Sequence, residues 1–146
     1  MTNWLIIVVC LVVFSVPAKA DDGKVISVSK MPQTAQEFMT KYFSGMEVAV
    51  AVQEGMFWEK SYDVTFNNGN KLEFDGNGKW KSVDCKYTSV PKEIVPAPIA
   101  GYIKGKFPGT RIIKIEKDDR RIDVELDNGT DLEFNSAFEL VELDRE

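Results

Sequence analysis

Apolar and polar residues alternate along most of the chain, and the alternation breaks at recurring turn residues. Tyr62, Val64 and Phe66 alternate with Asp63 and Thr65; Asn68-Gly69 interrupts; Leu72 and Phe74 resume around Glu73. Sixty residues later the pattern returns as Ile122, Val124 and Leu126, then Asn128-Gly129, then Leu132 and Phe134. A period of two with one apolar side marks a half-buried strand. Asn-Gly between two such runs marks a β-hairpin, expected as a type I′ turn with φ > 0 at both residues.

Around each hairpin the other elements fall into the same order. Ala35, Phe38, Met39, Tyr42 and Phe43 share one helical face behind Pro32, and Gly45 ends it. Val48, Val50 and Val52 form a strand, Glu54-Gly55 a turn, and Trp58 is expected to share a strand face with Tyr62, Val64 and Phe66. Asp75-Gly76-Asn77-Gly78 makes a further turn, and Trp80, Val83, Cys85 and Tyr87 carry the closing strand, with a slip after Trp80 that reads as a bulge. In the second half Val90-Pro91 answers Met31-Pro32, and Ile94 and Val95 belong to a short helical turn. Pro96 and Pro98 interrupt it, and Ile99, Tyr102, Ile103 and Phe107 form the helix. Ile113 and Ile115, the second hairpin, and then Phe138 and Leu140, or Val141 and Leu143 after a bulge, complete the sheet.

This order predicts an α+β fold: a tandem repeat of a helix plus a four-stranded antiparallel sheet. Residues 31–87 form the first unit and residues 90–143 the second, together one domain of one monomeric chain. Each sheet has one apolar and one polar side, so the helices cover one face and the other stays open to solvent. Side by side, the units give one sheet of about eight strands.

Composition adds an address. Trp4 to Val16 is an apolar run too short to span a bilayer, followed by Pro17 and the cleavage pattern Ala18-Lys19-Ala20. Residues 1–20 are read as a signal peptide and residues 21–30 as a flexible lead-in. The expected location is the periplasm or another exported compartment. The whole chain carries 18 basic and 23 acidic residues; cleavage removes Lys19 and leaves 17 against 23, a charge of −6. That balance favours a cationic partner and argues against nucleic acid and anionic membrane surfaces. One cysteine, Cys85, remains after cleavage, so no internal disulfide is available; its alternation with Val83 and Tyr87 makes it a buried strand thiol.

Phe43-Ser44-Gly45 and Phe107-Pro108-Gly109 each precede a strand, and the first is followed by Tyr62-Asp63-Val64, Asn68-Gly69, Leu72-Glu73-Phe74-Asp75 and Gly78-Lys79-Trp80. Arranged in tandem behind a signal peptide over residues 30–143, these motifs resemble the PepSY-like, β-lactamase-inhibitor-like periplasmic proteins of Bacteroidetes. The resemblance implies helix-and-sheet units like those of the β-lactamase inhibitor protein, whose concave sheet face grips an enzyme. It also implies a peptidase-inhibitory role, and calcium association as in some relatives. The matching residues belong to turns and core, so no binding residue is carried over from the family. The second unit departs from the pattern where Ser136-Ala137-Phe138 replaces Gly76-Asn77-Gly78.

The catalytic inventory is nearly empty. The chain has no histidine, which excludes histidine triads and His-based zinc sites. It has no phosphate-cradling glycine loop and no nucleophile elbow. What remains is strand parity. If Tyr62, Val64 and Phe66 face the helices, then Asp63, Glu73, Asp123, Glu125, Asp131 and Glu133 face outward, with Lys71 and Arg121 as the basic exceptions. Such a face suits a basic protein surface, a cationic peptide or a metal ion, and equally serves as a solvated face for solubility. Trp80, Trp58 and Phe57 are aromatic anchors if exposed and core residues if not. Asp75 and Asn77 offer hard oxygens among turn glycines, as calcium sites do, though the same residues also make a plain turn. Asn128-Gly129-Thr130 matches a glycosylation sequon, but the repeat explains it as a turn. The expected function is a non-enzymatic periplasmic binding module, an inhibitor of a protein or peptidase that takes a cationic partner on the polar face. The alternative is a calcium-binding or structural envelope protein.

Overall fold

Each of the two Asn-Gly turns closes with glycine alone at positive φ: Gly69 at 92° and Gly129 at 83°. In the computed structural model, which describes residues 23–145, Asn68 and Asn128 keep negative φ. Gly69 N donates to Phe66 O and Phe66 N to Asn70 O, which is a type I turn followed by a glycine bulge rather than the expected type I′ turn. The asparagines act through their side chains instead: Asn68 Oδ1 accepts from Asn70 N at 2.9 Å, and Asn128 Oδ1 accepts from Thr130 N at 3.1 Å. That bond stabilises the turn without requiring the left-handed region.

These hairpins sit in one continuous antiparallel sheet of nine strands in sequence order. The strands are β1 (Lys24–Ile26), β2 (Val48–Glu54), β3 (Ser61–Phe66), β4 (Lys71–Asp75), β5 (Trp80–Asp84), β6 (Ile112–Lys117), β7 (Arg121–Leu126), β8 (Thr130–Asn135) and β9 (Leu140–Arg145). Helix α1 (Gln33–Tyr42) precedes β2 and helix α2 (Ala97–Lys106) precedes β6. The two halves join edge to edge, with Val83 opposite Ile115 and Asp84 opposite Lys114. The sheet is therefore one strand wider than two sets of four. The extra strand comes from residues 24–26, expected to be flexible, which pair with Ala51–Gln53 of β2. A 3-10 helix over Val28–Lys30 then leads into α1. The predicted signal peptide lies outside the described residues.

Strand irregularities recur at equivalent places. The β2–β3 register shifts between Val48 and Val50, and the β6–β7 register between Ile112 and Lys114. Phe74 faces Trp80 while Glu73 faces Ser82; Phe134 faces Leu140 while Glu133 faces Glu142. Each step inserts one extra residue, Lys81 or Val141, so the bulges foreseen from the sequence are present.

The helices lie against a single face. Ala35 and Met39 of α1, and Ile99 and Ile103 of α2, join Val64, Leu72, Phe74, Val83, Ile115, Val124, Leu132 and Phe134 in one buried cluster. Phe43 stacks on Phe66 with centroids 5.5 Å apart, while Phe38 meets Phe74 and Tyr102 meets Phe134 edge-on. Prolines set both helix starts: Pro32 caps α1 and Pro96 caps α2, with Pro98 in the first turn, where a missing N–H loses no bond. Met31-Pro32 is thus answered by Val95-Pro96, not by Val90-Pro91. Cys85 is buried as expected, and burial pushes its thiol up to about 11.

The turn that differs between the halves differs for a packing reason. Gly78 (φ 84°) and Phe138 (φ 63°) close the same kind of turn. At Gly78 an added Cβ would lie 2.8 Å from both Ala35 N and Pro32 Cβ, at the start of α1. Only glycine lets that helix approach. Phe138 remains partly exposed, so a side chain is tolerated there.

Candidate functional site

The face of the sheet away from the helices carries its charges in rows. One row runs straight across the registers from β1 to β9: Val25, Val52, Asp63, Glu73, Ser82, Glu116, Asp123, Glu133 and Glu142. Every titratable residue in it is an acid. The adjacent row reads Val50, Thr65, Lys71, Asp84, Lys114, Glu125, Asp131 and Asp144. It alternates in sign over β4–β6 and turns wholly acidic over β7–β9. Opposed side chains in such rows lie roughly 5 Å apart, where like charges repel by on the order of 1 kcal/mol.

That crowding shows in the proton affinities. Burial, reinforced by Glu54 and Glu73, raises the Asp63 carboxyl to about 6. Asp123 is raised by burial and by Glu133, with Arg121 opposing. Cations relieve part of the load. Arg121 Nη1 donates to Glu133 Oε1, Lys114 Nζ lies 2.9 Å from Glu116 Oε1, and Lys81 Nζ lies 3.8 Å from Glu73 Oε1. The hydrogen bond to Glu116 leads the causes that raise Lys114. A shallow open depression of about 400 Å³ lies over β6–β9, lined by Lys114, Glu116, Asp123, Glu125, Glu133 and Asp144 among others.

The structure brings Asp63, Glu73, Asp123, Glu125, Asp131 and Glu133 onto this face together. Strand parity found them because each alternates with a buried apolar neighbour. It missed Glu54, Asp84, Glu116, Glu142 and Asp144, whose strands had been assigned only through their apolar residues; Glu116, next to Ile115, was legible by the same alternation. Trp80 does not join them. It faces the helices, packs on Phe38 at 6.3 Å, and has Lys117 Nζ 3.9 Å above its ring. The bulge at Lys81 separates the parity of Trp80 from that of Ser82.

Trp58 departs from expectation in the other direction. β3 begins only at Ser61, and the β2–β3 connection carries Met56, Phe57 and Trp58 into solvent. Trp58 is 87% exposed, and its ring stacks with that of Phe57 at a 6.0 Å centroid distance. Phe57 holds a φ of 57°, which turns the chain outward.

Asp75 and Asn77 make the turn between β4 and β5. Asp75 Oδ1 accepts from Asn77 N and Lys79 N, both at 2.9 Å. In the second half Asn135 Oδ1 accepts from Ala137 N and Glu139 N in the same way, so the turn needs a side-chain oxygen and not its charge. Among the described residues no three carboxylate or thiol groups converge as a metal cluster. Nor is any described helix long and apolar enough to cross a membrane.

Residues 60–142 match the family described as "Putative beta-lactamase-inhibitor-like, PepSY-like". The chain belongs to this family. Among solved structures it is similar to a "putative calcium-regulated periplasmic protein" of Bacteroides thetaiotaomicron, with 48% identity and a TM-score of 0.84 over 86% of this chain and 99% of that one. A periplasmic protein of Bacteroides vulgatus matches at 43% identity and a TM-score of 0.84, over 86% of this chain and 99% of its own. A second periplasmic protein from that organism, of unknown function, matches at 34% identity and a TM-score of 0.79, over 84% and 98%. No protein of curated function is significantly similar. This PepSY-like chain is accordingly a periplasmic or otherwise exported protein, the location expected from the sequence.

Proposed function

We propose that this PepSY-like chain is a non-enzymatic binding protein, built from two copies of one helix-and-sheet unit, that takes a cationic protein or peptide on its open sheet face. One observation carries the reading: the row Asp63, Glu73, Glu116, Asp123, Glu133, Glu142 crosses the sheet with no basic residue within it. Carboxylates stacked this closely destabilise the fold slightly until a cation neutralises them, so a lysine- or arginine-rich surface gains from binding what the free protein loses. Phe57 and Trp58, exposed three and four residues beyond Glu54 in the chain, supply an apolar anchor. An inhibitor that covers a basic surface of an enzyme is one such role.

The test is capture from a Bacteroides envelope extract by the wild type and by Glu125→Lys combined with Asp131→Lys. These two face each other and neither holds an ion pair, whereas Glu133 already neutralises Arg121. The variant is expected to fold normally and lose a salt-sensitive partner. Identical captures by both proteins, or no capture by either, would leave the face as a solvated surface.

A second reading follows from the calcium-regulated relative: a calcium ion held at the Asp75–Asn77 turn together with the acidic sheet face. Ligand bound to the native state raises stability, so melting with millimolar calcium and with chelator tests it; an unmoved melting point removes it.

A further inference from the structure

Strand β9 is the one long edge of the sheet whose outer side has no partner among the described residues. The chain itself shows how such an edge is completed. Val83 and Asp84 of β5 stand opposite Leu72 and Lys71; Leu143 and Asp144 of β9 stand opposite Leu132 and Asp131, so β9 occupies in the second half the place of β5 in the first. On its far side β5 is covered by β6, which sets Glu116, Ile115 and Lys114 against Ser82, Val83 and Asp84. Val83 is fully buried as a result, while its counterpart Leu143 is 39% exposed, with Leu140 and Val141 exposed beside it.

The exposed edge is selective. Glu142 and Asp144 project from the open face where β5 has Ser82 and Asp84. A second copy of β9 lying antiparallel would set these acids against their own equivalents, a repulsive pairing that edge strands use against self-association. A strand built like β6 but basic at both flanking positions fits. Its apolar residue would cover Leu143 as Ile115 covers Val83, and its cations would meet Glu142 and Asp144 as Lys114 meets Asp84.

From this edge we infer that β9 is a strand-addition site for an extended peptide reading basic–apolar–basic. Main-chain hydrogen bonds would supply affinity and the alternating side chains selectivity. The inference rests on reading the open face as cation-seeking and names the edge at which such a partner enters.

The probe is a ten-residue peptide alternating arginine and isoleucine. Its controls are a glutamate–isoleucine peptide of the same length and an arginine–isoleucine peptide N-methylated at alternate amides, which keeps the charge and blocks strand pairing. Hydrogen exchange across the whole protein reads the site. The expected result is slowing by at least about tenfold at the outward amides of β9, no binding of either control, and weakening by at least about tenfold in Glu142→Lys combined with Asp144→Lys. No binding of the probe, or binding without protection in β9, overturns the edge site. So does self-association through β9. Binding that survives N-methylation and is lost in Glu125→Lys combined with Asp131→Lys also removes the edge site, yet leaves the face reading standing.

Discussion

Asp63 and Glu73 stand directly opposite each other on β3 and β4, and Asp123 and Glu133 repeat the arrangement on β7 and β8. Like charges in that position weaken a sheet. In the second pair Arg121 neutralises Glu133; in the first, burial, reinforced by Glu54 and Glu73, holds the Asp63 carboxyl near 6. The proton affinity of Asp63 thus records its burial first and the acids beside it second.

The sign of the resulting pH dependence is fixed. A carboxyl whose folded pKa is raised binds its proton more tightly in the native state, so its destabilising effect is absent below the unfolded value of about 4 and grows as pH rises to about 6. Asp63→Asn is therefore expected to stabilise by on the order of 1 kcal/mol at pH 7, a figure discounted for partial solvent screening, and by almost nothing at pH 4. Urea melts at the two pH values check it; an equal effect at both would mean that packing, not charge, sets the change. Capture of a cationic partner at pH 5.5 should also release a proton, visible as a buffer-dependent binding enthalpy.

The two tryptophans play different roles: Trp80 packs against α1, while Trp58, expected on the face of Tyr62, stands in solvent. Trp58→Ala is expected to change stability by less than about 0.5 kcal/mol and to weaken partner binding. Trp80→Ala removes a ring packed on Phe38 and Lys117 and is expected to lower stability by about 2 kcal/mol. Thermal melts of both variants decide between these roles.

Gly78→Ala should destabilise by more than about 1 kcal/mol, because the new methyl meets the backbone of α1 in a left-handed conformation. The turn at Phe138 already accommodates a side chain at the equivalent place, so Phe138→Ala should retain the native fold and an intact β8–β9 pairing. Melting temperatures and amide-exchange profiles of the two variants separate the effects.

Asn70 is buried, donates to Thr88 Oγ1 at 2.8 Å and accepts from Tyr87 N. Removing the amide in Asn70→Ala strands these groups and is expected to lower stability by about 1–3 kcal/mol. A near-neutral effect in chemical denaturation would show that water replaces the side chain.

Tyr62, Val64 and Phe66 against Asp63 and Thr65, with their counterparts Ile122, Val124 and Leu126, were enough by parity to assign the helix-facing side, the acidic side and both hairpins, and the slip between Trp80 and Val83 marked the bulge. Local periodicity carries that information because a strand has only two sides. The face of Trp58 was not legible, because a strand pattern extended backwards by a few residues cannot tell where pairing stops; only the register, beginning at Ser61 opposite Glu54, decides it. Nor was the lead-in strand: Lys24–Ile26 has no pattern of its own and becomes β1 because the edge of β2 offers unpaired backbone groups. The sequence by itself determined which side of each hairpin is buried and that the other side is acidic. The tertiary structure alone decided that the acids of both halves align in one row, since that alignment depends on how β5 meets β6, a contact between strands whose local patterns are indifferent to each other.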